Sequence, residues 1–182
     1  MSVFWIILAA VALARLGELL YARRNTRRLL ARGALEAGAG HYPLIVVLHA
    51  AWLASLAVFV PAETLPNSLL LLLFVAVQVL RIWVLISLGR FWTTRIITLP
   101  DAPLIRKGPY RFLRHPNYLV VILEIALLPL CFGAWHIALL FSVLNGAMLF
   151  WRIRVENTAL AARRGIIQSR NDAHSADQMA QR

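Results

Sequence analysis

The sequence predicts an all-α integral membrane protein with five transmembrane helices, the last two forming a tight hairpin, and a cofactor site at the cytoplasmic face. Three observations carry this. Of the 182 residues, 60% are hydrophobic and only 15% charged, against roughly 25% charged in a soluble domain, and the mean hydropathy is +0.70. Most of the chain therefore needs lipid as its solvent. The apolar residues gather into runs of bilayer length, about 20 residues per helical crossing. The 19 Lys and Arg against 8 Asp and Glu leave a net charge of +11, and they fall between the runs, where a membrane surface rather than nucleic acid is the partner. A single cysteine, Cys131, excludes an internal disulfide framework and a cysteine-based metal site.

The runs cover residues 3–20, 44–60 and 68–88, each bounded by polar, Pro or Gly residues. A double run at 118–151, interrupted at Phe132-Gly133-Ala134, is too long for one crossing and reads as the hairpin. The first run has no basic n-region or small-residue cleavage site and is expected to stay as a helix. Between Gly33 and Leu80 there is no Lys or Arg. Cytoplasmic loops collect these residues, so the loop at 61–67 and the N-terminus are expected outside, with every basic cluster and the C-terminus inside. Residues 1–167 are expected to form one domain. The polar, aperiodic stretch 168–182 reads as a disordered tail.

Polar chemistry concentrates in the longest non-spanning stretch, 89–117, because loops carry groups that a lipid-facing helix cannot. A basic anchor on anionic lipid accounts for its charge, but not for the ordered Gly108-Pro109-Tyr110-Arg111-Phe112-Leu113-Arg114-His115-Pro116-Asn117-Tyr118 just before a helix. Pro116 suits the first helical turn and biases His115 toward extended backbone. His115 thus sits at the mouth of a helix whose free N–H groups favour an anion, such as the carboxylate or phosphate of a cofactor. Arg152 and Glu156, four apart, share one helix face. They form either an intrahelical pair or, with Asn157 adjacent, an acceptor for a cofactor's amino group.

These elements resemble the isoprenylcysteine carboxyl methyltransferases and related membrane phospholipid methyltransferases, which use S-adenosylmethionine. The resemblance rests on the 108–118 motif, the hairpin after it, and Arg152 with Glu156-Asn157 and Leu160. It implies a cofactor site at His115, Tyr118 and Glu156, with Gly108, Tyr110, Arg111, Pro116 and Asn157 around it. Many members have two adjacent glutamates where this chain has Glu156-Asn157. Arg15-Leu16-Gly17-Glu18, Arg24-Asn25, Arg32-Gly33-Ala34, Gly40-His41-Tyr42-Pro43 and Leu48-His49 look like a bacterial branch. That branch includes enzymes similar to alkylresorcinol and alkylpyrone O-methyltransferases. It implies a bacterial inner-membrane enzyme with a phenolic or pyrone lipid as acceptor, or an isoprenylcysteine-like carboxylate.

An acceptor oxygen must be aligned with the methyl, shielded from water and relieved of its proton. Arginines favour the anion of a phenol, whose pKa is near 10, which makes Arg95, Arg114 and Arg152 candidates to orient and ionise it. Arg114, Arg152 and Glu156 form the expected catalytic set. Glu124 and Arg81 lie at similar depth, roughly 12 and 10 Å inside their helices, and either pair with each other or flank the substrate head. Arg15 and Glu18 share that ambiguity. His49 is an interhelical contact or a substrate residue, His41 lies near the expected transfer level, and Trp92 stands between Arg90 and Arg95. The acceptor tail is expected to arrive laterally beside the second and third spans, near Gly89. Two other readings compete: an NADPH-dependent sterol-type reductase, which shares an Arg-His-Pro-Asn-Tyr element but is usually longer, and a non-enzymatic membrane protein.

Overall fold

The computed structural model describes residues 2–99 and 106–180, with side chains described for these residues except His41, Leu160 and 162–180. The described residues contain five long helices: α1 (Val3–Leu30), α2 (Tyr42–Phe59), α3 (Ser68–Leu88), α4 (Pro116–Cys131) and α5 (Trp135–Ala180). Four of them are long and apolar enough to cross a membrane. The fourth in sequence, α4, has 16 residues, about 24 Å, and is shorter than the ~30 Å hydrocarbon core. It starts with Pro116 at its first turn. It ends where Gly133, at φ +72°, reverses the chain into α5.

Helix ends with opposite character define the two ends of the bundle. At one end, Asn67 caps α3 by accepting from the Leu70 amide, and its own amide donates to the Cys131 carbonyl at 2.7 Å. This ties the α2–α3 connection to the α4–α5 turn. The other end carries the basic residues. There the chain adds a feature that the all-α expectation lacked, a two-stranded antiparallel ribbon of β1 (Leu35–Ala37) and β2 (Ile96–Thr98). Three-residue strands leave too short a period-2 signal to be read from sequence.

Large apolar side chains such as Leu13, Val58 and Ile86 are exposed, as lipid-facing positions must be. Phe4, Trp52, Leu56, Phe74, Leu128 and Phe141 form a core toward the end opposite the basic one, while Ala22, Val84, Trp92 and Val120 form a smaller one beneath the ribbon. Past its apolar part, α5 continues to Ala180. The stretch expected as a tail is thus helical over 168–180, in keeping with its Ala, Gln, Arg and Met content; its side chains lie outside the described set.

Between the two cores sits a closed charge network. Arg81 donates twice to Glu18, at 2.7 and 2.5 Å, and once to Glu124 at 2.5 Å. Arg15 reaches Glu18 at 2.7 Å and Glu124 at 3.3 Å, and Gln78 donates to Glu124 at 2.7 Å. Two cations meet two anions, so α1, α3 and α4 are joined without a net buried charge. Removing one member leaves an uncompensated charge, which costs about 3–5 kcal/mol. Arg81→Leu should lower stability by about that much in denaturant unfolding of the detergent-solubilised protein. Arg81→Leu with Glu124→Leu should recover more than half of the loss, because the Arg15–Glu18 pair remains.

Candidate functional site

The site is built on a loop held in place by a buried asparagine. Asn25, 1% exposed on α1, donates through its amide to the carbonyls of Gly89 and Trp92 at 3.1 and 3.0 Å. This fixes the turn that leaves α3. The later part of the loop is pressed onto α3 at Gly108, whose φ is +54° and where an added Cβ would lie 2.1 Å from Ser87 Oγ. Gly108 is therefore required by close packing and backbone conformation. The short 3₁₀ turn Gly108–Arg111 follows and carries Tyr110 inward.

Tyr118, on the first turns of α4, lies at the centre. Its hydroxyl accepts from Arg152 Nε at 3.0 Å and donates to Glu156. The His115 ring stacks on Tyr118 with centroids 5.1 Å apart, and its Nδ1 lies 3.8 Å from Glu156. The i,i+4 pair expected within α5 is thus replaced by a bridge through Tyr118. Burial and, secondarily, the Glu156 carboxylate raise the pKa of Tyr110 above that of an ordinary phenol, so its hydroxyl stays a donor at any physiological pH. Arg95 is held by Glu36 at 2.9 Å and lies over the Tyr42 ring at 4.7 Å, which couples the ribbon to the start of α2.

Two cavities meet here. The first, about 210 Å³, lies at the basic end and is lined by Tyr110, Arg114, His115, Tyr118, Arg152, Glu156 and Arg95, with Ile96 and Ile97 of the ribbon. The second, about 320 Å³, descends among α1, α2, α4 and α5 and is mostly apolar, with Leu16, Ile45, Leu53, Val121 and Leu149 in its walls. Trp92, Thr93, Asn117, Tyr118 and Arg152 line both. Two of these five hold buried polar atoms without a partner, Trp92 Nε1 and Asn117 Oδ1.

Sequence reasoning selected most of the first cavity. Of the expected residues, Gly108, Arg111, Pro116 and Asn157 are not among its lining, and the His41 side chain lies outside the described set. His49, Arg81 and Trp92 line the second cavity, whereas Glu124 lies in the charge network and lines neither. Of the two helices expected beside the acceptor's route, α2 lines the second cavity along much of its length and α3 barely does. Among the described residues α3 gives the second cavity only Arg81, and α1 and α2 form its apolar flank, because α3 is packed most extensively against α4. Asn25, Thr93, Asn117 and Asn145 were not singled out as site residues, although Asn117 lies inside the 108–118 motif and Asn25 in one of the segments that carry the resemblance.

Fold and site together define a class: a helical integral membrane protein whose polar cavity, at the basic end, abuts an apolar cavity among the helices. The chain belongs to the isoprenylcysteine carboxyl methyltransferase (ICMT) family, whose model matches residues 69–162, and family members are membrane methyltransferases. It is 41% identical to YpbQ, an uncharacterized protein of Bacillus subtilis (strain 168), over 86% of this chain and 96% of that protein. It is 28% identical to an uncharacterized protein of Haemophilus influenzae over 84% of this chain and 92% of that one. No solved structure matches it significantly. The described residues contain no cluster able to hold a metal ion.

Gly108→Ala tests the loop packing. The added methyl should destabilise the protein by about 1–3 kcal/mol, measured by thermal unfolding in detergent. Ser87→Ala should restore only part of the loss, since the positive φ remains.

Proposed function

We propose that the protein transfers a methyl group from S-adenosylmethionine to an oxygen of a lipophilic acceptor, a phenolic or pyrone lipid or an isoprenylcysteine-like carboxylate. The observation that carries this reading is the wall shared by a polar and an apolar cavity. A charged cofactor and a lipid can each stay in a suitable solvent and meet only there.

The donor set suits the cofactor. Glu156 would accept from its amino group, Arg114 and His115 would face its carboxylate, and the unpartnered Asn117 Oδ1 and Trp92 Nε1 offer an acceptor and a donor beside it. When bound, S-adenosylmethionine supplies an electrophilic methyl on a sulfonium. The remaining work falls to the chain. Arg152 lines both cavities, so its guanidinium can favour the anionic acceptor oxygen. Tyr118 holds Arg152 in place through the bond from Arg152 Nε. Arg114 and Arg95 line the first cavity and not the second, which supports a role for them on the cofactor side. The ribbon and Trp92 shield the junction from water. The apolar second cavity accepts the tail, whose transfer from lipid to water would cost about 0.8 kcal/mol per CH₂.

In this reading all five helices span a bacterial inner membrane, the short α4 included, with the basic end cytoplasmic and the N-terminus outside. Cysteine at Glu63 should then react with an impermeant thiol reagent from outside, and Ala173→Cys should not; labelling of Ala173→Cys from that side contradicts the topology.

Titration calorimetry of the detergent-purified chain tests the cofactor. S-adenosylmethionine should bind and NADPH should not. Glu156→Gln and His115→Ala should each weaken binding roughly ten- to a hundredfold, the loss of one charge-assisted contact, while lowering thermal stability much less. Binding of NADPH alone would instead indicate a reductase.

A further inference from the structure

The second cavity is not apolar throughout: Arg15, Glu18 and Arg81 of the charge network line it, and two further polar side chains lie outside that network. Asn145, on α5, lines the cavity and is 3% exposed, yet among the described residues nothing bonds to its amide. His49, on α2, lines the same cavity. Its Nδ1–H donates to the Ile45 carbonyl at 2.8 Å, which commits the ring to one tautomer and leaves Nε2 as a free acceptor. Both residues lie at one depth. Asn145 is seven residues before Arg152 on α5, and His49 seven residues after Tyr42 on α2, so each is two turns, about 10 Å, below the transfer wall and on its helix's matching face. The two helices run in opposite directions and pack together.

An amide unpaired in an apolar wall costs free energy unless something in the cavity meets it. Into this cavity the pair presents an acceptor, His49 Nε2, and an amide that both donates and accepts. A hydroxyl is the smallest group that satisfies both, donating to His49 and accepting from Asn145. Resting on the reading of this cavity as the acceptor site, we propose that His49 and Asn145 form a second polar subsite that recognises a hydroxyl carried on the acceptor's chain about 10 Å from the reacting oxygen. The depth separates His49 from the reacting oxygen, so its role is recognition and not proton removal.

Two probes test this: a straight-chain alkylphenol, and the same compound with one chain hydroxyl about 10 Å from the phenolic oxygen. Their equilibrium binding to the full chain in lipid nanodiscs gives an affinity ratio. The hydroxylated probe should bind roughly tenfold tighter to the unmodified protein, and the ratio should fall toward one in His49→Phe and in Asn145→Leu. Equal binding to the unmodified protein overturns the proposal, as does a ratio that survives in either variant. The unmodified protein decides alone if a variant does not fold. If neither probe binds, the acceptor reading of the cavity has failed and the subsite falls with it, an outcome distinct from equal binding of both.

Discussion

The hydroxyl of Tyr118 is the contact on which the rest of the basic end depends. By accepting from Arg152 and donating to Glu156, it satisfies two charged groups that lie one turn apart on α5 and fixes α4 against them. Without it, Arg152 and Glu156 would turn to each other, as i,i+4 neighbours do. Arg152 would then leave the wall between the cavities. The stacked His115 ring completes the arrangement and is itself placed by Pro116 at the start of α4. One phenol thus joins the motif before α4 to the polar end of α5, although they are far apart in sequence.

A second constraint acts between the helices. Apolar packing against lipid gives helices little reason to associate, since lipid tails are as apolar as leucine. The network of Arg15, Glu18, Arg81 and Glu124 supplies a specific reason and joins α1, α3 and α4. α3 packs most extensively against α4, and the second cavity lies among α1, α2, α4 and α5 with Arg15, Glu18 and Arg81 of the network in its lining.

Much of this was legible in the sequence. Five apolar helices followed from run length, the position of the reversal at Gly133 from the break in the double run, and the polar site from the ordered residues 108–118. His115, Tyr118 and Glu156, which the motif and its resemblance singled out, lie together in the structure; their holding of a cofactor belongs to the proposed function. Three things were not legible. The ribbon pairs residues about 60 apart over strands of three, and such pairing leaves no periodic trace. Which helices line the second cavity depends on which of them pack most closely, and run length and hydropathy do not encode that. Asn25 lies inside the polar run 23–28 and Asn145 inside an apolar helix, and in neither place does the sequence distinguish an amide that anchors a loop from one that faces a cavity.

On the proposed reading, methyl transfer occurs where the polar and the apolar cavity share a wall. Membranes containing the protein, incubated with methyl-labelled S-adenosylmethionine, should then carry label in the organic-extractable lipid fraction, and Arg152→Met should lose it while cofactor binding persists. Label confined to water-soluble products, or transfer to lipid undiminished in Arg152→Met, would contradict that reading.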